Sequence, residues 1–112
     1  MPYFAVVREQ GPGWEYSKPR RSQRGWTEHA AYMDALEDEG FFLFAGPLSG
    51  GPKILSIVNA SDEPTVRARL DEDPWTPAGL LRTLSIEPWD AMVGGGTLDG
   101  MRAAATARRA RA

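Results

Sequence analysis

The stretch FFLFAGPLSGGPKILSIV, residues 41–58, decides the fold. Phe41 to Ala45 is apolar on both parities, the pattern of a strand covered on both faces, and Gly46-Pro47 closes it. Leu48 to Lys53, with Gly50-Gly51-Pro52, turns the chain. A further strand follows over Ile54 to Val58, where Ile54, Ser56 and Val58 alternate with Leu55 and Ile57. The two runs make a β-hairpin. Upstream, Thr27 is placed to cap a helix running to Glu39 and stopped by Gly40, with Trp26, His29/Ala30, Met33 and Leu36 on one face. Downstream, Ser61 is placed to cap a second helix, with Asp62 and Glu63 in its first turn and Pro64 tolerated there. Val66, Leu70 and Asp73 are spaced by four and three, so Asp73 continues an apolar stripe, where an acid is least expected; Pro74 ends the helix.

The ends supply two more strands. Tyr3 to Arg8 is apolar on both parities, and Leu80 to Glu87 puts Leu80, Leu84 and Ile86 with Arg82 on one side and Leu81, Thr83, Ser85 and Glu87 on a mostly polar other. The order β, α, β, β, α, β is the split, ferredoxin-like α+β arrangement, a four-stranded antiparallel sheet with two helices on one face. Two helices leave the other face bare. The apolar residues on both parities of the first two strands therefore call for a second cover, and another copy of the same sheet is the simplest, so a homodimer with sheets face to face is expected.

The length of 112 residues fits one compact domain, placed at residues 1–93, followed by a flexible Gly-rich and then Ala/Arg-rich tail at 94–112. Hydrophobic residues at 42% and charged residues at 25% are those of an ordinary globular protein. Zero cysteines exclude a disulfide scaffold, a thiolate nucleophile and cysteine metal sites. With His29 as the one histidine, no metal site is expected and no cofactor is called for. No apolar run approaches the ~20 residues of a membrane helix, and the start lacks the pattern of a signal peptide, so the chain reads as cytoplasmic.

The formal charge is −2, yet eight of the 13 basic residues fall in two acid-free segments: Lys18, Arg20, Arg21, Arg24 and Arg102, Arg108, Arg109, Arg111. The tail carries no nucleic-acid motif or interleaved aromatics, so no nucleic acid is expected as partner, and the Lys18 to Arg24 loop reads as a solvated loop or one that steers an anionic substrate. The loop Glu9 to Gly25, with Gly11, Pro12, Gly13 and Pro19, is long for a compact domain, and Trp14 and Tyr16 within it are expected to pack.

Several ordered pieces carry a family resemblance: His29-Ala30-Ala31-Tyr32-Met33, Glu39-Gly40-Phe41, Phe44-Ala45-Gly46-Pro47-Leu48, Asp73-Pro74-Trp75, Ala78-Gly79-Leu80-Leu81 and Ile86-Glu87-Pro88-Trp89. Together they resemble the YciI (YCII-related) family over roughly residues 2–92. The resemblance implies the dimeric α/β-barrel superfamily and an active site built from a histidine and an aspartate, which fall here on His29 and Asp73. It also implies, for some members, removal of chloride from chlorinated hydroxyquinols. The long Glu9 to Gly25 loop and the Arg-rich tail depart from the short members.

Imidazole suits proton transfer near neutrality, since its ordinary pKa is about 6.5. An aspartate beside it fixes the tautomer and stabilises the imidazolium. His29 and Asp73 together would be a general base without a nucleophile, needing no cofactor, able to assist elimination, isomerisation or tautomerisation of a small aromatic or dicarbonyl metabolite. Trp26, Tyr32 and Trp75 would wall the substrate site, with Ser56 lining it, and the ligand would be aromatic or anionic. Against this stands a plainer reading, in which the histidine packs and the aspartate before proline serves a turn. Two other classes remain open: a noncatalytic small-ligand-binding dimer accessory to a metabolic pathway, and a cofactor-free oxygenase.

Overall fold

In the computed structural model, which describes residues 3–111, four antiparallel strands form one sheet in the order β2-β3-β1-β4. The strands are β1 (Tyr3–Gln10), β2 (Phe42–Pro47), β3 (Lys53–Asn59) and β4 (Leu81–Trp89), and the helices are α1 (Trp26–Glu39), α2 (Glu63–Asp71) and α3 (Gly95–Arg111). The domain start placed at residue 1 and the tail end at 112 lie outside the described residues. Up to β4 the element order is the expected β, α, β, β, α, β, an α+β, ferredoxin-like fold.

The parity reading sorts the sheet's two faces. Phe4 and Val6 of β1, Val58 of β3, Phe42 of β2 and Ile86 of β4 pack with Leu36 of α1 and with Val66 and Leu70 of α2. Arg8 and Ser56 point to the same side, since Val6 pairs with Ser56 and Arg8 with Ile54 in the antiparallel register. A second cluster, Trp14, Ile54, Trp75, Leu80 and Leu81, closes the end of the sheet where β1 runs out.

Several boundaries differ from the sequence reading, for local reasons. Gly25, not Thr27, caps α1, because its φ of 73° lets the chain turn directly into Trp26. Asp62, not Ser61, caps α2, its side chain accepting the Thr65 N–H at 2.9 Å. α2 ends at Asp71, so Asp73 lies in the turn beyond it rather than on its stripe. Leu84 falls where the β1–β4 register skips a residue, and this bulge turns it outward to 45% exposure instead of pairing it with Ile86. β1 takes Glu9 and Gln10 out of the expected loop, and the rest is ordered: the Gln23 amide donates to the Glu15 and Lys18 carbonyls and accepts from the Glu15 N–H. Trp14 is buried, as expected, but Tyr16 is exposed.

The largest difference concerns residues 94–112, expected as flexible. From Gly95 to Arg111 they form α3, which folds back on the sheet face opposite α1 and α2. Leu98 is buried with Tyr3, Leu43 and Ile57, Met101 packs at the edge of that cluster, and the Tyr3 hydroxyl donates to Asp99. Ala105 is buried close to Gly40, at the end of α1. Leu98, Met101 and Ala105 recur at helical spacing, so a narrow apolar stripe holds the helix despite its Ala/Arg-rich remainder. Part of the bare face is thus covered from within the chain. Ala5, Val7 and Leu55 stay half-buried on it, and Phe44 is exposed.

Candidate functional site

Asp73 is held by the turn that ends α2: its Oδ1 accepts the Trp75 N–H at 2.9 Å, an Asx turn of the kind an aspartate before proline forms. That is the plain structural role. The same carboxylate does more, because the turn carries it fully buried beneath the inner face of the sheet. His29, one turn into α1, sets its Nδ1 at 2.9 Å from Oδ1 and 3.0 Å from Oδ2. Arg8, from the end of β1, donates from Nη1 to Oδ2 at 2.9 Å. Three separate elements therefore converge on one carboxylate.

Burial is the largest single influence on Asp73 and pushes its carboxyl up. The hydrogen bonds from His29 and Trp75, with the His29 and Arg8 charges, act the other way and together hold it below the usual carboxylate range. Asp73 is accordingly ionised near neutrality and can only accept. The atom facing it, His29 Nδ1, must then be the donor. In the neutral ring this leaves the lone pair on Nε2, for which no partner exists among the described residues. The imidazole is 6% exposed, stacked on Trp75 with centroids 3.8 Å apart and planes within 7°. Trp75 is itself fixed by its Nε1–H, which donates to the Arg24 carbonyl at 2.7 Å, and by an edge contact from Trp14.

The other expected site residues stand as follows. Trp26 lies tilted at 5.8 Å from the imidazole and is half-buried. Tyr32 turns its ring toward His29 at 6.5 Å, but its hydroxyl donates to the Arg69 carbonyl at 2.7 Å, and burial pushes that phenol well above its ordinary range. Its polar end is thereby committed to α2. Ser56 is buried on β3, on the same sheet face as Arg8, with no partner for Oγ among the described residues. A cleft of about 190 Å³ opens between α1 and β2, lined by Met33, Asp34, Glu37, Phe42, Leu43, Phe44 and Ala45. His29 and Asp73 meet, one from α1 and the other from the turn after α2, yet neither lines this cleft.

Arg8 is the member the sequence reading missed. An arginine at the end of an apolar strand looks like the point where the strand reaches water; its parity with Phe4 and Val6 was the available signal. Among the described residues no three histidines, aspartates and glutamates come together as a metal site would need.

Fold and site together define a ferredoxin-like α+β protein with an interior His–Asp–Arg cluster. The model of the YCII-related domain matches residues 3–90, and the chain belongs to that family. No curated protein matches it in sequence. Among solved structures it is similar to TftG, the 5-chloro-2-hydroxyhydroquinone dehydrochlorinase of Burkholderia phenoliruptrix AC1100, in complex with 2,5-dihydroxybenzoquinone. That match has 23% identity and a TM-score of 0.59, and covers 79% of this chain and 93% of that one. The likeness is one of fold.

Proposed function

We propose that the protein is a cofactor-independent lyase or isomerase in which His29 is the general base and Asp73 its positioning partner, acting on a small aromatic or dicarbonyl metabolite. The observation that carries this is the pairing of an ionised, buried Asp73 with Nδ1, which dedicates Nε2 to proton transfer. In the reaction, Nε2 takes a proton from an acidic C–H or O–H, and the electron pair released moves into the conjugated system toward its oxygen. In an isomerase the proton returns at another atom. In a dehydrochlorinase the pair expels chloride, and the products balance as the substrate less HCl. Such a dehydrochlorination is the activity named for TftG, a fold relative holding a planar quinone. Trp26, Trp75 and the Tyr32 ring would wall a planar substrate, and Ser56 would meet one of its oxygens.

The working form in this reading is a cytoplasmic homodimer. Ala5, Val7, Leu55 and Phe44 remain on the outer face beside α3, and a second copy would cover them. No helix of the described residues is long and apolar enough to cross a membrane. The second reading is a noncatalytic ligand-binding dimer, favoured by how little of the imidazole reaches solvent. A panel of chlorinated hydroquinones and 1,3-dicarbonyls separates the two. Chloride release or deuterium exchange by the wild type, abolished in His29→Ala and Asp73→Asn, supports the enzyme. Ligand binding with no conversion supports the binder, and turnover preserved in both variants overturns the base.

A further inference from the structure

The YCII-related domain ends at residue 90, and α3 lies wholly beyond it, from Gly95 to Arg111. What this added helix does follows from where it sits. The outer side of the sheet is one continuous apolar surface: Ala5 pairs with Ile57 and Val7 with Leu55 across β1 and β3, with Tyr3 and Leu43 in the same cluster as Ile57. α3 covers only part of it. Leu98 is buried over Tyr3, Leu43 and Ile57, while Ala5, Val7 and Leu55 stay half-buried and Phe44 is 54% exposed. Between Leu98 and the uncovered Phe44, Trp89 and Val93 a cleft of about 240 Å³ is left open. A second sheet stacked on the first lies about 10 Å away, and a helix with its side chains is about 10–12 Å thick. α3 therefore fills the layer that the sheet of a second copy would occupy, and the same strip cannot hold both.

The hold of α3 on the sheet is narrow. It consists of the Leu98, Met101 and Ala105 stripe, the Tyr3 hydroxyl bonded to Asp99, and Arg108 Nε at 3.5 Å from Asp38 near the end of α1. Its start is weak as a helix. Gly94 has a φ of 87°, and Gly95, Gly96 and Gly100 fall within the first two turns, where glycine is the poorest helix former after proline. A Cβ at Gly94, Gly96 or Gly100 would meet nothing within 4 Å, so these positions face open space. From this we infer that α3 is an intrachain strap, hinged at Gly94 to Gly96, that competes with a second copy of the chain for the outer face. Pairing of copies, on the homodimer reading above, then requires the strap to lift. Both copies must lift together, so a tenfold rise in the lifted fraction of each strengthens pairing about a hundredfold.

The test is hydrogen exchange of the full-length wild type over a range of protein concentrations, with sedimentation equilibrium giving the fraction paired. Segments at an ordinary interface become more protected as copies pair. The strap predicts the opposite sign for Gly95–Arg111: its amides should exchange at least about fivefold faster in the paired protein than in the single chain. Leu98→Asp, which puts a charge beneath the helix, should lift the strap and tighten pairing about tenfold or more. Slower or unchanged exchange of the helix on pairing overturns the strap, and so does pairing weakened by Leu98→Asp, which would place α3 inside the interface. Should the variant fail to fold, the exchange of the wild type decides alone. Failure of the homodimer reading looks different: wild type and Leu98→Asp both stay single at every concentration, which removes the competitor and the strap with it.

Discussion

Asp73→Asn is the perturbation whose size follows most directly from the structure. The substitution keeps the shape of the side chain and removes its charge. Asp73 accepts from His29 Nδ1, from the Trp75 N–H and from Arg8 Nη1, all with the carboxylate out of water. The amide offers one oxygen and an NH2 group that donates, so one of the donors now faces another donor, and the 2%-exposed Arg8 loses its counter-charge. Removing one partner of a buried pair costs about 3–5 kcal/mol, against a net stability of about 5–15 kcal/mol for a small domain. At about 4–5 °C per kcal/mol for a domain near this size, Tm should fall by roughly 12–25 °C in thermal unfolding followed by circular dichroism at pH 7. The pH dependence has a definite sign. The Asp73 carboxyl is lowered in the folded state, so its contribution is complete above the unfolded carboxyl range and is lost as pH falls through the lowered value. The gap between wild type and variant should therefore close toward acid. Arg8→Met combined with Asp73→Asn should recover much of the loss, since no charge is then stranded. A fall of under about 3 °C, a gap that does not change with pH, or strictly additive effects in the double variant would mean that Asp73 is not the buried counter-charge of Arg8.

Gly40→Ala tests how α3 seats on α1. Gly40 has a φ of 85°, and a Cβ there would come within 2.5 Å of the Ala105 Cβ, so a loss of about 2–3 kcal/mol in urea unfolding is expected. Adding Ala105→Gly should return part of it, and equal losses in the single and double variants would count against the contact. Leu98→Ala should cost about 2–3 kcal/mol locally and raise hydrogen exchange through Gly95–Arg111 while the exchange of β1 stays slow. Unaltered exchange in that helix would mean it is not held by the sheet.

The order of the first six elements could be read from the sequence because each strand is a short apolar run between strong punctuation, as at Gly46-Pro47 and Gly50-Gly51-Pro52. His29 stood out as a polar residue on an apolar helix face; Asp73 continued the α2 spacing in sequence but sits in the turn beyond that helix, and its pairing with His29 was implied mainly by the family resemblance. Arg8 was not, because its partner lies 65 positions away and nothing local distinguishes a buried arginine from a strand end. Leu84 was misplaced by a bulge, which shifts the register of two strands and leaves no mark on either. The third helix was obscured by Gly94-Gly95-Gly96 and by its arginines, although three residues, Leu98, Met101 and Ala105, sufficed to dock it. Local chemistry sets the elements, and long-range pairing sets the site.

The proposed chemistry depends on Asp73 committing one imidazole nitrogen and freeing the other. Because His29 is the one histidine in the chain, its two ring nitrogens can be followed without ambiguity by nitrogen-15 NMR of the uniformly labelled protein. The neutral imidazole should carry its proton on Nδ1, with that proton protected from exchange, and Asp73→Asn should erase both the preference and the protection. A neutral ring protonated on Nε2, or a mixture of tautomers as in a free imidazole, would contradict it.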